Sequence, residues 1–141
     1  MNRSSVLLAV CFGAGTIGAL ANSLVAWLCG LWGLTAGAGV AIAPELTTAW
    51  LYPRLVWGGI WGTVYFLSVG SRRSRRHWVR KGLWISLLPT LFQLVYIFPE
   101  QTRHGMLGFG LGKLTPLFVL GFNLVWGFFT GLFTRLFWGR A

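Results

Sequence analysis

Four apolar runs divide the chain, at residues 6–29, 52–70, 82–98 and 114–137. The first and third hold no charged residue, the second carries Arg54 close to its start, and the fourth has Arg135 near its end. A helix crossing a hydrocarbon core of about 30 Å needs about 20 residues at 1.5 Å each. All four runs are therefore predicted to be membrane helices, the third being the shortest. They are continuously apolar and lack the short alternating segments of a membrane barrel. Pro89 withholds one backbone hydrogen bond from the third run and predicts a kink. Residues 30–49 stay apolar, but Gly33, Gly37 and Gly39 loosen them and Pro44 breaks them. That stretch is predicted to be a loop or half-helix at the outer interface, or dipping into it, with Glu45 its one charge.

The runs repeat. Leu55-Val56-Trp57-Gly58 returns as Leu124-Val125-Trp126-Gly127, sixty-nine residues later, and Ser23-Leu24-Val25 is echoed by Gln93-Leu94-Val95 at an offset of seventy. Each of the two copies also carries a glycine pair four apart, Gly58 with Gly62 and Gly127 with Gly131. The chain reads as one transmembrane domain, residues 1–141, made of two helix-loop-helix units at about 6–70 and 82–138. Small residues let helix backbones approach closely in lipid, so the glycine pairs predict tight crossings, either between the units or between protomers. A glycine series in the second outer loop, including Gly108, Gly110 and Gly112, takes the place that Gly33 to Gly39 hold in the first.

Composition turns these runs into a class. Hydrophobic residues make up 55% of the chain and charged residues 10%, and the mean hydropathy is +0.67. A soluble chain this small must be polar outside, and Glu45 and Glu100 are the only acids. The net charge of +10 would suit nucleic acid if it lined a folded face. Instead Arg72, Arg73, Arg75, Arg76, Arg80 and Lys81 crowd into residues 71–81, between two runs, as cytoplasmic loops do. With Arg3, Arg135 and Arg140 they outnumber Arg54, Arg103 and Lys113 on the other side, which predicts both termini in the cytoplasm. The loop is expected to contact anionic lipid, and nucleic acid is not expected as a partner. Met1-Asn2-Arg3 and Ala19-Leu20-Ala21 resemble parts of a secretory signal. The apolar run continues past them through Leu28, so a retained helix is expected.

Candidate chemistry is sparse. Cys11 and Cys29 would lie about 27 Å apart on one helix and cannot pair. His77 and His104 both fall outside the runs, so no metal or haem is expected. No catalytic set stands out, and Gly108-x-Gly110 is preceded by no strand, unlike a dinucleotide fingerprint. An enzyme is the least expected class and no cofactor is implied. What does stand out is one strongly polar residue in each run, shifted toward the outer side: Asn22, Arg54, Gln93 and Asn123. Parallel repeats packed about an axis along the membrane normal would bring them into one layer. An ionisable residue inside a span marks a candidate site. Alternatively the amides bond neighbouring helices, and Arg54 snorkels outward to pair with Glu45.

The runs Ala43-Pro44-Glu45-Leu46-Thr47, Trp50-Leu51-Tyr52-Pro53-Arg54-Leu55-Val56-Trp57-Gly58 and Leu114-Thr115-Pro116-Leu117-Phe118 resemble a family of small uncharacterised bacterial inner-membrane proteins with four helices. The resemblance implies that fold and location and no activity. Gly15-Thr16 and Asn22 are similar to the small bacterial fluoride channels, but the phenylalanine- and threonine-rich third-helix motif of those channels is absent. The expectation is thus an all-α, multi-pass protein of the bacterial inner membrane. Its expected role is that of a non-enzymatic structural or accessory subunit of a homo-oligomer or a larger membrane complex. The alternative is a channel or transporter for a small polar or anionic solute, lined by the intramembrane polar residues.

Overall fold

In a computed structural model the described residues are 3–42, 44–101 and 108–138, and all the regular structure among them is helical, with no strand. Ala43, Arg103, His104, Gly105 and Arg140 lie outside them, as do the side chains of Arg3, Arg72 and Glu100. α1 runs from Arg3 to Leu31. A single turn, α2, Leu34–Gly37, follows. α3 covers Thr48–Val69 and begins where the Thr47 hydroxyl accepts a hydrogen bond from the Trp50 amide at 3.2 Å. After a 3₁₀ turn at Arg72–Ser74 the third arm starts with α4, Trp78–Ile85. It continues as α5, Leu87–Phe92, and then as a wide π-helical stretch, Gln93–Gln101. α6 is Thr115–Trp138. Two of these helices, Ser4–Leu31 and Thr115–Trp138, are long and apolar enough to cross a membrane. α3 is comparable in length, but Pro53, Arg54 and its tryptophans and tyrosines lower its hydropathy.

The third arm departs from the single kinked helix expected from its sequence. The break falls at Ser86, between α4 and α5. Pro89 accounts for it: its ring crowds the carbonyl four residues back, at Ile85, and it has no N–H to offer that carbonyl. The basic stretch also differs from a simple loop. His77 takes a left-handed backbone, φ 54°, and helix resumes at Trp78, so Arg80 and Lys81 stand on the first turn of α4. Two of the basic side chains are drawn inward to the end of α3. Arg75 donates from Nη2 to the Gly70 carbonyl at 3.0 Å and lies over the Trp138 ring. Lys81 donates from Nζ to the carbonyls of Ser68, at 3.0 Å, and Ser74. These cations sit where a helix end exposes its unpaired carbonyls. Arg73, Arg76 and Arg80 remain exposed.

α1 lies at the centre, packed against α3 on one side and α6 on the other, and α6 in turn packs against α4. Contrary to the expected crossing between the units or between protomers, both glycine pairs face an arm of their own half of the chain. A Cβ at Gly58 would stand 2.8 Å from the Gly15 carbonyl oxygen, and one at Gly62 3.1 Å from the Gly15 Cα. Likewise a Cβ at Gly127 would stand 2.8 Å from the Gly82 carbonyl carbon, and one at Gly131 2.7 Å from the Val79 Cα. These are backbone contacts, so no larger residue fits without the helices parting. The two halves meet where α1 crosses α6, with Gly18 against Trp126 and Thr130, and Trp126 Nε1 donating to the Gly15 carbonyl at 3.1 Å.

The opposite seam is built differently. α3 meets the third arm mainly near the basic loop, through α4. Farther along, it touches α5 through rings, Trp57 and Trp61 lying against Phe92 and Phe92 against Tyr96. At the basic-loop end Leu7, Cys11, Tyr65, Val69 and Trp78 form a core, in which the Tyr65 hydroxyl donates to the Trp78 carbonyl at 2.8 Å. At the other end the two glycine-rich loops join, Ala41 N–H donating to the Leu111 carbonyl at 2.8 Å, above a smaller cluster of Leu94, Val119 and Leu111. Much of the outer surface is apolar, with Leu67 79% exposed and Trp84 67%.

Candidate functional site

Helical spacing brings the polar residues inward. On α3, Arg54, Gly58, Gly62, Tyr65 and Val69 recur at intervals of three and four, which places them on one face. Four of those five are buried. Arg54 therefore starts on the face that meets α1, one turn from the backbone contact at Gly58. On α1 the matching face runs through Gly15, Gly18, Ala19, Asn22 and Ala26, all buried. On α6 it runs through Val119, Asn123, Trp126, Thr130 and Thr134, also buried.

The guanidinium of Arg54 is the hub. Its Nε donates to the Ser23 hydroxyl at 2.9 Å and its Nη2 to Asn22 Oδ1 at 3.0 Å. Asn22 Nδ2 in turn approaches Asn123 Oδ1 at 3.4 Å, a weak donation. The Arg54 charge also lies 4.7 Å from the centre of the Trp50 ring, a cation–π distance. A guanidinium has five N–H groups, so these two bonds leave three of them for another acceptor. Asn123 Nδ2 is a second spare donor, buried and without a hydrogen-bond partner.

Two cavities meet at this cluster. One, of about 230 Å³, is lined by Asn22, Arg54, Gln93 and Asn123 at its polar end and chiefly by apolar side chains from α3, α5 and α6 elsewhere. The other, of about 360 Å³, lies toward the glycine-rich loops, with Ala41, Ile42, Pro44 and Leu111 in its wall. Asn22, Arg54 and Gln93 line both. The two share those three side chains; we term the first the inner chamber and the second, beside the loops, the outer one. Among the described residues Arg54 is the only ionisable one in either wall, and none of them offsets its positive charge.

All four strongly polar residues singled out in the sequence thus line one cavity. Glu45 stands apart. It is exposed on the loop before α3 and lines neither chamber, and Arg54 turns toward α1 rather than toward it. Sequence reasoning passed over Ser23 as a direct partner of Arg54, although it adjoins Asn22. It also missed the aromatic wall. The signal was there: Trp57 with Trp61 and Phe92 with Tyr96 are each four apart, the spacing of neighbours on one helix face.

Comparison of the chain with protein-family models, with curated proteins and with solved structures finds no match. The class therefore rests on the fold and the site. This is an all-helical protein with two helices able to cross a membrane and a polar cavity holding one positive charge.

Proposed function

We propose that the chain is a four-span protein of the bacterial inner membrane, built from a duplicated hairpin with both termini in the cytoplasm, and that it binds and passes a small polar or anionic solute. The observation that carries this reading is the shared lining of the two chambers by Asn22, Arg54 and Gln93. A solute moving from the outer chamber to the inner one must pass the guanidinium. Three unused N–H groups on Arg54 and the spare amide of Asn123 are donors only, which favours an acceptor-rich or negatively charged solute. The apolar exterior supports lipid as the surrounding solvent. The exposed Arg73, Arg76 and Arg80 support contact with anionic headgroups at the cytoplasmic face. The glycine pairs are engaged within the protomer, so they offer no surface to another chain.

Flux in proteoliposomes tests the proposal. Arg54→Leu should reduce anion efflux to the level of protein-free vesicles while helix content persists. Undiminished flux in that variant, or no flux above protein-free vesicles for the wild-type protein, would refute it.

A further inference from the structure

We infer that the anion held at Arg54 is the headgroup of an amphiphile, a phosphate or carboxylate on an apolar chain, and that it reaches the site sideways between α3 and α5. This rests on the reading of Arg54 as an anion site and goes on to specify what the anion is attached to. The inner chamber has two unlike ends. Arg54, Asn22, Asn123 and Gln93 form the polar one. The remainder of the wall is apolar, with Trp57, Trp61, Phe92, Ile97 and Trp126 its largest members, and no carboxylate stands in it among the described residues. An apolar chain attached to the anion gains from that lining what a small hydrated anion, held at the polar end alone, does not.

Size and position agree. The chamber, of about 230 Å³, is partly open rather than enclosed, so a chain attached to the headgroup can extend out of it. The seam between α3 and α5 is the place where it can. Of the two lines along which the halves of the chain meet, α1 against α6 is closed by backbone contact and an indole hydrogen bond. The α3–α5 line is closed by rings alone, and Trp57 and Phe92 are 52% and 37% exposed at it. Side chains rotate far more easily than packed helix backbones separate, so this seam can admit an acyl or isoprenoid chain from the surrounding lipid. Rings facing outward would then flank the chain while the guanidinium, with its planar fork, takes two oxygens of the headgroup.

Photolabelling tests this in the full-length protein in neutral maltoside micelles. The probe is a monoalkyl phosphate with a diazirine at the far end of a chain of about ten carbons, and adducts are mapped by mass spectrometry. The expected adducts fall on peptides containing Trp57 to Trp61 and Phe92 to Ile97. Arg54→Leu should lower them about tenfold and Arg54→Lys should keep most of them. An alkyl trimethylammonium probe of equal chain length should not label there. A hundredfold excess of inorganic phosphate should leave the adducts in place. Displacement by inorganic phosphate would overturn the amphiphile and leave a small-anion site standing. Labelling indifferent to both Arg54 variants, or equal with the cationic probe, would overturn the anion site itself. Should Arg54→Leu not fold, Arg54→Gln with the two competitor arms gives the same decision.

Discussion

The crossing of α1 and α3 allows a test in which one substitution type is expected to change sign with position. At Gly62 an added methyl would stand 3.1 Å from Gly15 Cα, 3.2 Å from the Cys11 carbonyl carbon, and closer still to its oxygen. All three are backbone atoms and cannot rotate away, so the helices must separate by roughly 1 Å, enough to forfeit a quarter to a half of each dispersion contact along the crossing. Overpacking of this kind costs about 1–3 kcal/mol. Replacing glycine by alanine inside a helix returns about 0.5–1 kcal/mol in backbone entropy. Gly62→Ala should therefore lose about 2 kcal/mol net, taking the upper half of the overpacking range. Gly13, on the same α1, meets nothing within 4 Å of an added Cβ. Gly13→Ala keeps only the favourable part and should gain up to about 1 kcal/mol. Thermal unfolding in mild detergent, followed by circular dichroism, should thus separate the two variants on either side of wild type, with Gly121→Ala, also unobstructed, beside Gly13→Ala. If Gly62→Ala unfolds within a degree of Gly13→Ala, the close crossing does not exist as described.

Other outcomes follow from single contacts. Tyr65→Phe removes the hydroxyl that holds the Trp78 carbonyl, so stability should fall by about 1–2 kcal/mol and trypsin should cut the arginine-rich turn faster. Trp126→Phe keeps most of the ring packing but loses the bond to Gly15, at a cost of about 1 kcal/mol on chemical unfolding. Replacing Arg73, Arg76 and Arg80 together by glutamine should weaken retention of anionic lipid by about 1 kcal/mol per charge, read by native mass spectrometry from mixed lipid. Arg75→Gln should lower the melting temperature instead, because that side chain serves Gly70 and Trp138 rather than lipid.

Much of this was legible from spacing. The ends of α1 and α6 agree with the apolar runs to within a few residues, because nothing inside either run competes with helix. The polar layer was also legible. A single amide or guanidinium in each apolar run has few places to go except toward the others. What sequence could not supply was direction and partner. Arg54 reads equally well as a snorkelling side chain beside Trp50 or as a buried hub. Only its register with Gly58 and Gly62, combined with knowing that this stripe meets α1, separates the two. The third arm was the least legible. Pro89 announces a disturbance, but whether the chain kinks, breaks or widens depends on how the arm packs against α6. Nor did the six clustered cations reveal that two of them serve the end of α3, since that depends on where His77 turns the chain.

The wide winding that begins at Gln93 sets the chamber wall in a particular mechanical state. In an α-helix each residue advances the chain by about 100°. Each residue of that stretch drawn back into ordinary winding would turn every side chain beyond it by the difference between the two windings. Gln93 sits at the pivot, Tyr96 and Ile97 just past it. The arm therefore resembles a screw thread with a slack stretch, in which a twist applied near Gln101 would be carried along the wall of the inner chamber back to Gln93.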